Sequence, residues 1–259
     1  MSLWGKILGG AAGLAVGGPL GALMGVVGGH FLVDERLPKQ SPAQADARVP
    51  PERQAAFIMG VIALSAKMAK ADGAVTADEV AAFKDIIKVP PGEMKNVEWV
   101  FDQARRSVNG FDSYAKQLAK LFKGDSRVLE DLLDGLFHIA RADGVLHDNE
   151  LAYLKEVARL FGFSEGEFER IKARYVLAPQ DSPYLVLGVT PQASDEEIKA
   201  AYRRLVRETH PDAMIARGVP EELVHISKQK LQAINVAYET IEKWRAAENK
   251  KTETEKSDR

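Results

Sequence analysis

The residues with the most obvious chemistry are His210, Pro211 and Asp212, in the stretch VRETHPDAMI (206–215). The imidazole can gain or lose a proton near neutral pH, and the carboxylate two positions on carries a fixed negative charge. The proline between them has no N–H to donate and disfavours the α region for the residue before it. A helix arriving from the N-terminal side must therefore stop near Thr209 and leave both side chains on a turn. Upstream, Lys199, Arg203 and Arg207 fall at i, i+4 and i+8, with Arg204 beside them. They form one positive helix face that ends at the turn. A basic stripe by itself is usually only a solvated face. Next to an exposed His-Pro-Asp corner it reads as a docking surface for an acidic partner.

A second set of charged residues sits in a repeat. AKADGAVTADEV (69–80) aligns with ARADGVLHDNEL (140–151), pairing Asp72 with Asp143, Gly73 with Gly144 and Glu79 with Glu150. Apolar, helix-patterned segments flank both copies, so each unit reads as helix, short Asp-Gly loop, helix. The glycine supplies the left-handed residue that such a turn needs, and the glutamate falls in the first turn of the next helix, where a carboxylate is favoured. D-G-x5-E resembles the second half of an EF-hand loop. The early ligand positions, however, hold Met68 and Lys70 in one copy and Ile139 and Arg141 in the other, which excludes a normal calcium loop. Two readings stay open. Each Asp and Glu serves its own turn and helix end, or the repeats pack about a pseudo-twofold axis and Asp72, Glu79, Asp143 and Glu150 converge on one divalent cation. No other cofactor is called for.

Intrinsic catalysis is not expected. Of the remaining histidines, His30 lies at the edge of an apolar run, His138 in an apolar helix, His147 in the second acidic loop and His225 in a charged helix. None has an acid–base or nucleophilic partner at convincing spacing, although His147 is near enough to Asp143 and Glu150 to join a metal site. The chain has no cysteine, which excludes disulfides, thiolate metal sites and cysteine nucleophiles and fits a reducing compartment. A net charge of −2 provides no basic field for nucleic acid.

From residue 54 onward helical periodicity prevails and β-alternation is lacking, so the fold class is all-α. PYLVLGV (183–189) is a short apolar helix opened by Pro183. SDEEIKAAYRRLVRET (194–209) has Ser194 at the cap, carboxylates in the first turn and Glu197 at capping-box spacing. Its apolar stripe is Ile198, Ala201, Tyr202, Leu205 and Thr209. A second long helix is predicted from about Glu221 to Arg245, with Leu223, Ser227, Leu231, Ile234, Tyr238 and Ile241 on one face. Two amphipathic helices on either side of a constrained loop make an antiparallel hairpin, with the short helix packed across it.

Residues 178–247 resemble the J-domain of DnaJ-type co-chaperones over its full length. The resemblance rests on PYLVLGV, SDEEIKAAYRRLVRETHPD and LQAINVAYETI. It implies docking on an Hsp70 (DnaK), with the positive stripe on an acidic Hsp70 surface and His210, Pro211 and Asp212 triggering ATP hydrolysis by that partner. Two departures stand out: Ala213 follows the motif where a basic residue is common, and the loop over 213–220 is long. The Gly/Phe-rich linker and zinc-binding cysteine repeats of full-length DnaJ are also missing. Residues 54–177 resemble the all-α TerB-type domain of tellurite resistance, on Lys70-Ala71-Asp72-Gly73, Glu79, Arg141-Ala142-Asp143-Gly144 and Glu150.

Residues 7–33, ILGGAAGLAVGGPLGALMGVVGGHFLV, contain one ionisable group and are long enough to cross a hydrocarbon core of roughly 30 Å as a single helix kinked at Pro19. A secretory signal peptide would have a shorter apolar region and a clear cleavage motif. Gly5, Gly9, Gly13, Gly17, Gly21, Gly25 and Gly29 recur every four residues, a small-xxx-small stripe suited to close helix pairing and hence a homodimer. Arg36, Lys39, Arg48 and Arg53 follow the span and place the bulk of the chain in the cytoplasm. The expected order is an anchor (1–33), a polar Pro-rich linker (34–53), the TerB-like bundle (54–177), the J-domain (178–247) and a charged disordered tail (248–259). That order resembles the membrane-anchored, DjlA-type co-chaperones of Gram-negative bacteria, which implies an inner-membrane, single-pass protein. The rival reading is a membrane-tethered metal or stress sensor whose output is the J-domain.

Overall fold

The computed structural model describes residues 17–23, 25, 51–72, 80–81, 83–84, 94–107, 110–176 and 182–257. Among them there is no strand; the ordered elements are helices and turns. Two compact units are present, one formed by Met1–Ser164 with Met214–Ile226, the other by Glu165–Ala213 with Ser227–Arg259.

The first unit is built on α1 (Pro51–Asp72), which begins at a proline, a position where the missing N–H costs nothing. From Ala55 to Ala69 every residue of α1 is buried. A helix that is apolar on all sides has to be surrounded. The surrounding is done by α2 (Met94–Arg106), α3 (Phe111–Leu121), α4 (Ser126–Ala140) and α5 (Asp148–Phe161), all of which pack on α1. Phe57 meets Phe122 edge to face at 6.3 Å, both rings fully buried, and each such side chain contributes about 1.5–3 kcal/mol. Two of the polar groups enclosed with α1 are bonded to carbonyls: Lys67 Nζ donates to the Ser107 carbonyl at 2.8 Å, and the buried Tyr153 hydroxyl donates to the Leu64 carbonyl at 2.8 Å. Burial pushes the Tyr153 phenol well above its ordinary pKa.

The second Asp-Gly loop has its expected form. Gly144 sits at φ 89°, the left-handed conformation, between α4 and α5. The first loop, residues 73–79, lies outside the described residues, with helical residues at 80–81 and 83–84 beyond it. Segment 214–226 joins this unit by a buried ion pair: Arg217 Nη2 lies 2.8 Å from Oδ2 of Asp131, which is only 2% exposed.

At the N-terminus the structure departs from a continuous helix over 7–33. Gly17 and Gly18 have φ of 57° and 60°, and a right-handed helix cannot pass through two such residues. A short helical stretch starts at residue 18, so Pro19 lies in its first turn instead of kinking a helix midway. Gln117 on α3 fixes this start, its Nε2 donating to the Gly17 carbonyl at 2.6 Å and its Oε1 accepting from the Leu20 N–H at 2.9 Å. Among the described residues no helix is long and apolar enough to cross a membrane. Gly5, Gly9, Gly13 and Gly29 lie outside those residues.

In the second unit α6 (Glu165–Lys172) and α7 (Ser182–Leu187) precede the hairpin of α8 (Asp195–Thr209) and α10 (Ile226–Ser257). Tyr184, Leu187, Ile198, Leu205, Ile234 and Ile241 form its core. Between the hairpin helices, α9 (Pro211–Arg217) and one 3-10 turn (Glu221–Leu223) occupy what the sequence suggested was a loop followed by the start of the long helix. The last helix thus begins later than Glu221. It also ends later than Arg245, since residues 248–257 are helical where a disordered tail was expected. That tail is rich in Glu and Lys, and adding turns to an existing helix avoids the nucleation cost that keeps such a peptide unfolded alone.

Gly60 offers a direct test of the α1 packing. A Cβ there would lie 2.7 and 2.8 Å from the two Cδ atoms of the fully buried Leu118. Gly60→Ala is expected to lower stability by about 1–3 kcal/mol through overpacking, despite the better helix propensity of alanine. Thermal or urea unfolding of the variant against the parent measures it.

Candidate functional site

The capping box predicted at the start of α8 is in place. The Glu197 N–H donates to Ser194 Oγ at 3.2 Å, and the Ser194 N–H donates back to Glu197 Oε2 at 2.7 Å. From this start α8 turns Ile198, Ala201, Leu205 and Thr209 inward, so the opposite face carries Lys199, Arg203, Arg204 and Arg207, all exposed. Tyr202 is only half-buried; it stacks on Tyr238 with ring centres 4.2 Å apart, and its hydroxyl bonds Asn235 Oδ1 at 3.1 Å. The partnership of Tyr202 with Tyr238 and Asn235 fixes α8 antiparallel to α10.

The helix stops where Pro211 requires. His210 caps α8 at φ −58°, ψ 138°, outside the helical region, and Pro211 opens α9 at its first position. His210 and Asp212 both project into solvent, their side chains 58% and 89% exposed. The Asp212 N–H lies 3.3 Å from His210 Nδ1, and the Asp212 carboxylate lies 3.7 Å from the same nitrogen. The corner therefore presents an imidazole edge and a carboxylate together at the end of the basic stripe. Neither group has a third partner that would make it a general acid or base.

The carboxylates of the second acidic loop are already partly committed. Asp143 Oδ1 accepts the Val145 N–H at 2.9 Å, and Oδ2 faces His147 Nε2 at 3.3 Å. The Val145 bond first, and His147 second, hold the Asp143 carboxyl below its ordinary pKa. Glu150 is 3% exposed and accepts the His147 N–H at 2.9 Å at the start of α5. The Asp72 side chain and all of Glu79 lie outside the described residues, so the structure brings only the second pair of carboxylates into view. Among the described residues no group of three or more His, Asp or Glu is placed to hold a metal.

Compared with known proteins, the chain is 30% identical to Co-chaperone protein DjlA of Photobacterium profundum, across 93% of this chain and 98% of that one. The chain belongs to the DjlA co-chaperone family. It is also 30% identical to the DjlA of Coxiella burnetii, across 95% and 99% of the two chains, and 28% identical to that of Escherichia coli K12, across 93% and 97%. Three family models match in the order of that family: the co-chaperone DjlA transmembrane domain over residues 1–42, tellurite resistance protein TerB over 59–173 and the DnaJ domain over 182–249. No solved structure matches. The His-Pro-Asp corner of this DjlA-family chain lies within the DnaJ match, and the acidic repeat within the TerB match.

Two ion pairs between residues distant in sequence escape a reading by spacing. Arg245, far along α10, bonds Asp195 Oδ1 at 2.6 Å and the Pro191 carbonyl at 3.0 Å, and lies 5.8 Å from the Tyr184 ring. It thereby ties the end of the hairpin to the start of α8. Bonding to Tyr184, and then to Asp195, raises its pKa. Only its place at the end of an amphipathic pattern hinted at this. The other involves Asp131, a charged residue on the apolar face of α4, and that mismatch was the available signal.

The capping box also predicts a pH effect. The backbone N–H of Ser194, then its hydroxyl, lower the Glu197 pKa below its usual value. A depressed carboxylate stabilises the fold above its unfolded pKa, and that contribution disappears as pH falls through the folded value. Ser194→Ala keeps that backbone N–H and removes only the hydroxyl, so the Glu197 pKa is expected to rise part of the way to the ordinary carboxylate value, while loss of the N-cap oxygen costs the helix about 1 kcal/mol. Carbon-detected NMR titration of Glu197, with thermal unfolding at pH 7, checks both.

Proposed function

We propose that the chain is a membrane-anchored J-domain co-chaperone that docks on a cytoplasmic Hsp70 (DnaK) and stimulates its ATP hydrolysis. One observation carries the reading: His210 and Asp212 are both exposed at the α8–α9 break, directly beyond the exposed face of Lys199, Arg203, Arg204 and Arg207. The basic face steers the encounter with an acidic surface, and the corner makes the specific contact. Pro211 holds the break open. Asp212 presents a carboxylate to a basic group of the partner, and His210 orients the corner. The chain itself breaks no bond, since the ATP and the groups that hydrolyse it belong to Hsp70. The DjlA transmembrane match over 1–42 and the relatives' names support an inner-membrane location, with the arginines and lysines after residue 33 keeping the helical units in the cytoplasm.

The test is the steady-state ATPase rate of a bacterial Hsp70 with the full chain in lipid nanodiscs. The parent chain is expected to raise the rate. His210→Gln should bring it back to the Hsp70-alone value with helicity and melting unchanged, because the side chain is exposed and bonds nothing in the core. Arg203→Ala should weaken half-maximal stimulation by up to about fivefold, the range for an exposed charge contact, and added salt should weaken the parent in the same way. Undiminished stimulation by His210→Gln would sink the proposal.

A second reading is that the TerB-like unit senses a metal or stress and uses the J module as its output, favoured by Asp143, His147 and Glu150 lying together in the second acidic loop. Asp72, Glu79, Asp143 and Glu150 remain the residues to which a divalent cation would be assigned on this reading. Cation-dependent stimulation that vanishes in Asp143→Asn would support it.

The glycine stripe is proposed to pair two chains in the membrane through its earlier members, since Gly17 is bonded by Gln117 and Gly21 is buried. Gly5, Gly9 and Gly13 together replaced by leucine should abolish self-association in a membrane reporter assay, because each added side chain separates the backbones. Association equal to that of the parent would rule the stripe out as the interface.

A further inference from the structure

The two sides of α3 differ in charge and burial. Tyr114, Ala115 and Leu118 turn inward, and Phe122 continues that side just beyond the helix end. Lys116, Lys120 and Lys123 fall at i, i+4 and i+7 on the opposite side, all three exposed. The acids near this face are engaged. Asp112 is bonded by Lys116 at 3.1 Å, and Asp125 lies 3.7 Å from Arg53. Glu156 of α5, which also feels the charge of Lys116, is held by Arg159 at 2.6 Å. Among the described residues the side chains of Lys120 and Lys123 have no partner. Segment 112–127 carries four cations, Lys116, Lys120, Lys123 and Arg127, against the two carboxylates of Asp112 and Asp125. In a chain of net charge −2 this local surplus is not background.

The apolar N-terminal chain meets the unit beside that face. Gln117, the neighbour of Lys116 on α3, bonds the Gly17 carbonyl at 2.6 Å and the Leu20 N–H at 2.9 Å, and Leu20 and Leu23 are buried. Residue 18 has to be small for this contact, because a Cβ on Gly18 would lie 2.9 Å from Gln117 Oε1. Residues 17–23 fall inside the match to the co-chaperone DjlA transmembrane domain. The helix that holds the membrane-matched chain is therefore the one with unneutralised lysines. An anionic lipid surface attracts lysine and arginine within a Debye length, about 8 Å at physiological salt, and a lysine ammonium meets a phosphate as a compact point charge.

We propose that the face formed by Lys116, Lys120 and Lys123 is a docking surface for the phosphate groups of anionic phospholipids, laying α3 on the membrane that holds the N-terminal segment. The proposal rests on the membrane anchoring set out above and is independent of the Hsp70 reading.

The chain has no cysteine, so Ser126→Cys, at the exposed start of α4, supplies a single thiol for a bimane fluorophore. The labelled full chain is placed in nanodiscs containing a nitroxide-headgroup lipid, a quencher confined to the membrane surface. Co-elution with the discs tests the anchoring by itself, and a chain that elutes apart from them overturns both readings. Quenching is expected to be stronger in phosphatidylcholine mixed with phosphatidylglycerol than in phosphatidylcholine alone, and added salt should relieve it. Each lysine at an anionic surface is worth about fivefold, so Lys120→Gln with Lys123→Gln should shift the balance between docked and lifted α3 about thirtyfold. Quenching then returns to the phosphatidylcholine level in a chain that melts like the parent, since both side chains are exposed. Lys120→Arg with Lys123→Arg keeps the charge and should keep the quenching. Lys228→Gln with Lys243→Gln, the same charge change at exposed positions of α10, should leave it intact. Equal quenching in the two lipids, quenching that survives Lys120→Gln with Lys123→Gln, or an equal loss in the α10 variant overturns the proposal. Relief by inorganic phosphate at constant ionic strength would assign the face to free phosphate and overturn it too. So would equal quenching in the two lipids with Lys120 and Lys123 shielded from acylation by polyglutamate, which would give the face to an acidic polypeptide.

Discussion

A peptide bond that cannot continue a helix governs the working end of this molecule. Pro211 has no N–H to donate and crowds the residue before it out of the α region, so α8 ends at Thr209 and a new helix starts at Pro211. Everything proposed for the corner follows from that. His210 is held in an extended conformation, its ring lies beside the Asp212 N–H, and both side chains clear the helix surface. A flexible loop could expose the same two groups, but it would have to lose conformational entropy on docking. The proline has met part of that cost during folding.

The corner is useful only if α8 itself is held in place, and the residues that hold it are elsewhere. The Ser194–Glu197 box fixes its first turn, Tyr202 stacked on Tyr238 fixes its middle, and Arg245 reaches back to Asp195 from the far end of α10. None of these groups lies on the basic face. Support and the basic face are thus divided between opposite sides of one helix, so the charges on the outer face can vary with little effect on the core. The first unit follows a different logic. There α1 is enclosed on every side, so Lys67 and Tyr153 are drawn onto carbonyls in the interior, those of Ser107 and Leu64.

The elements legible in the sequence were those whose signals are local. Ser194 followed by three acidic residues marked the start of α8, Pro211 marked its end, and the period of Ile198, Leu205 and Thr209 marked its buried face. The left-handed Gly144 was legible for the same reason, since an Asp-Gly pair between apolar helices has few other uses. What was missed depends on contacts distant in sequence or on cooperativity. No spacing rule connects Gln117 to Gly17 or Arg217 to Asp131. Helix α9 was read as loop because a short run after a proline has too few turns to show a period. The helical tail to Ser257 went unseen because its residues lack an apolar face; it is carried by the helix before it.

The acidic repeat shows how one sequence signal can have two physical uses that compete. In the second loop Asp143 bonds the Val145 N–H and faces His147, while Glu150 closes onto the His147 N–H. These contacts are sufficient reason for an aspartate and a glutamate at those positions, because they satisfy backbone donors that a turn and a helix start leave open. A divalent cation arriving there would need oxygen ligands from carboxylates that already accept hydrogen bonds. Each carboxylate has two oxygens and several lone pairs, so bonding to the backbone need not expel a cation, but it does fix the directions from which one can be bound. A shared site would therefore demand that the first loop supply its carboxylates from the side these bonds leave open. The geometry of the second loop thus sets the condition that Asp72 and Glu79 have to meet.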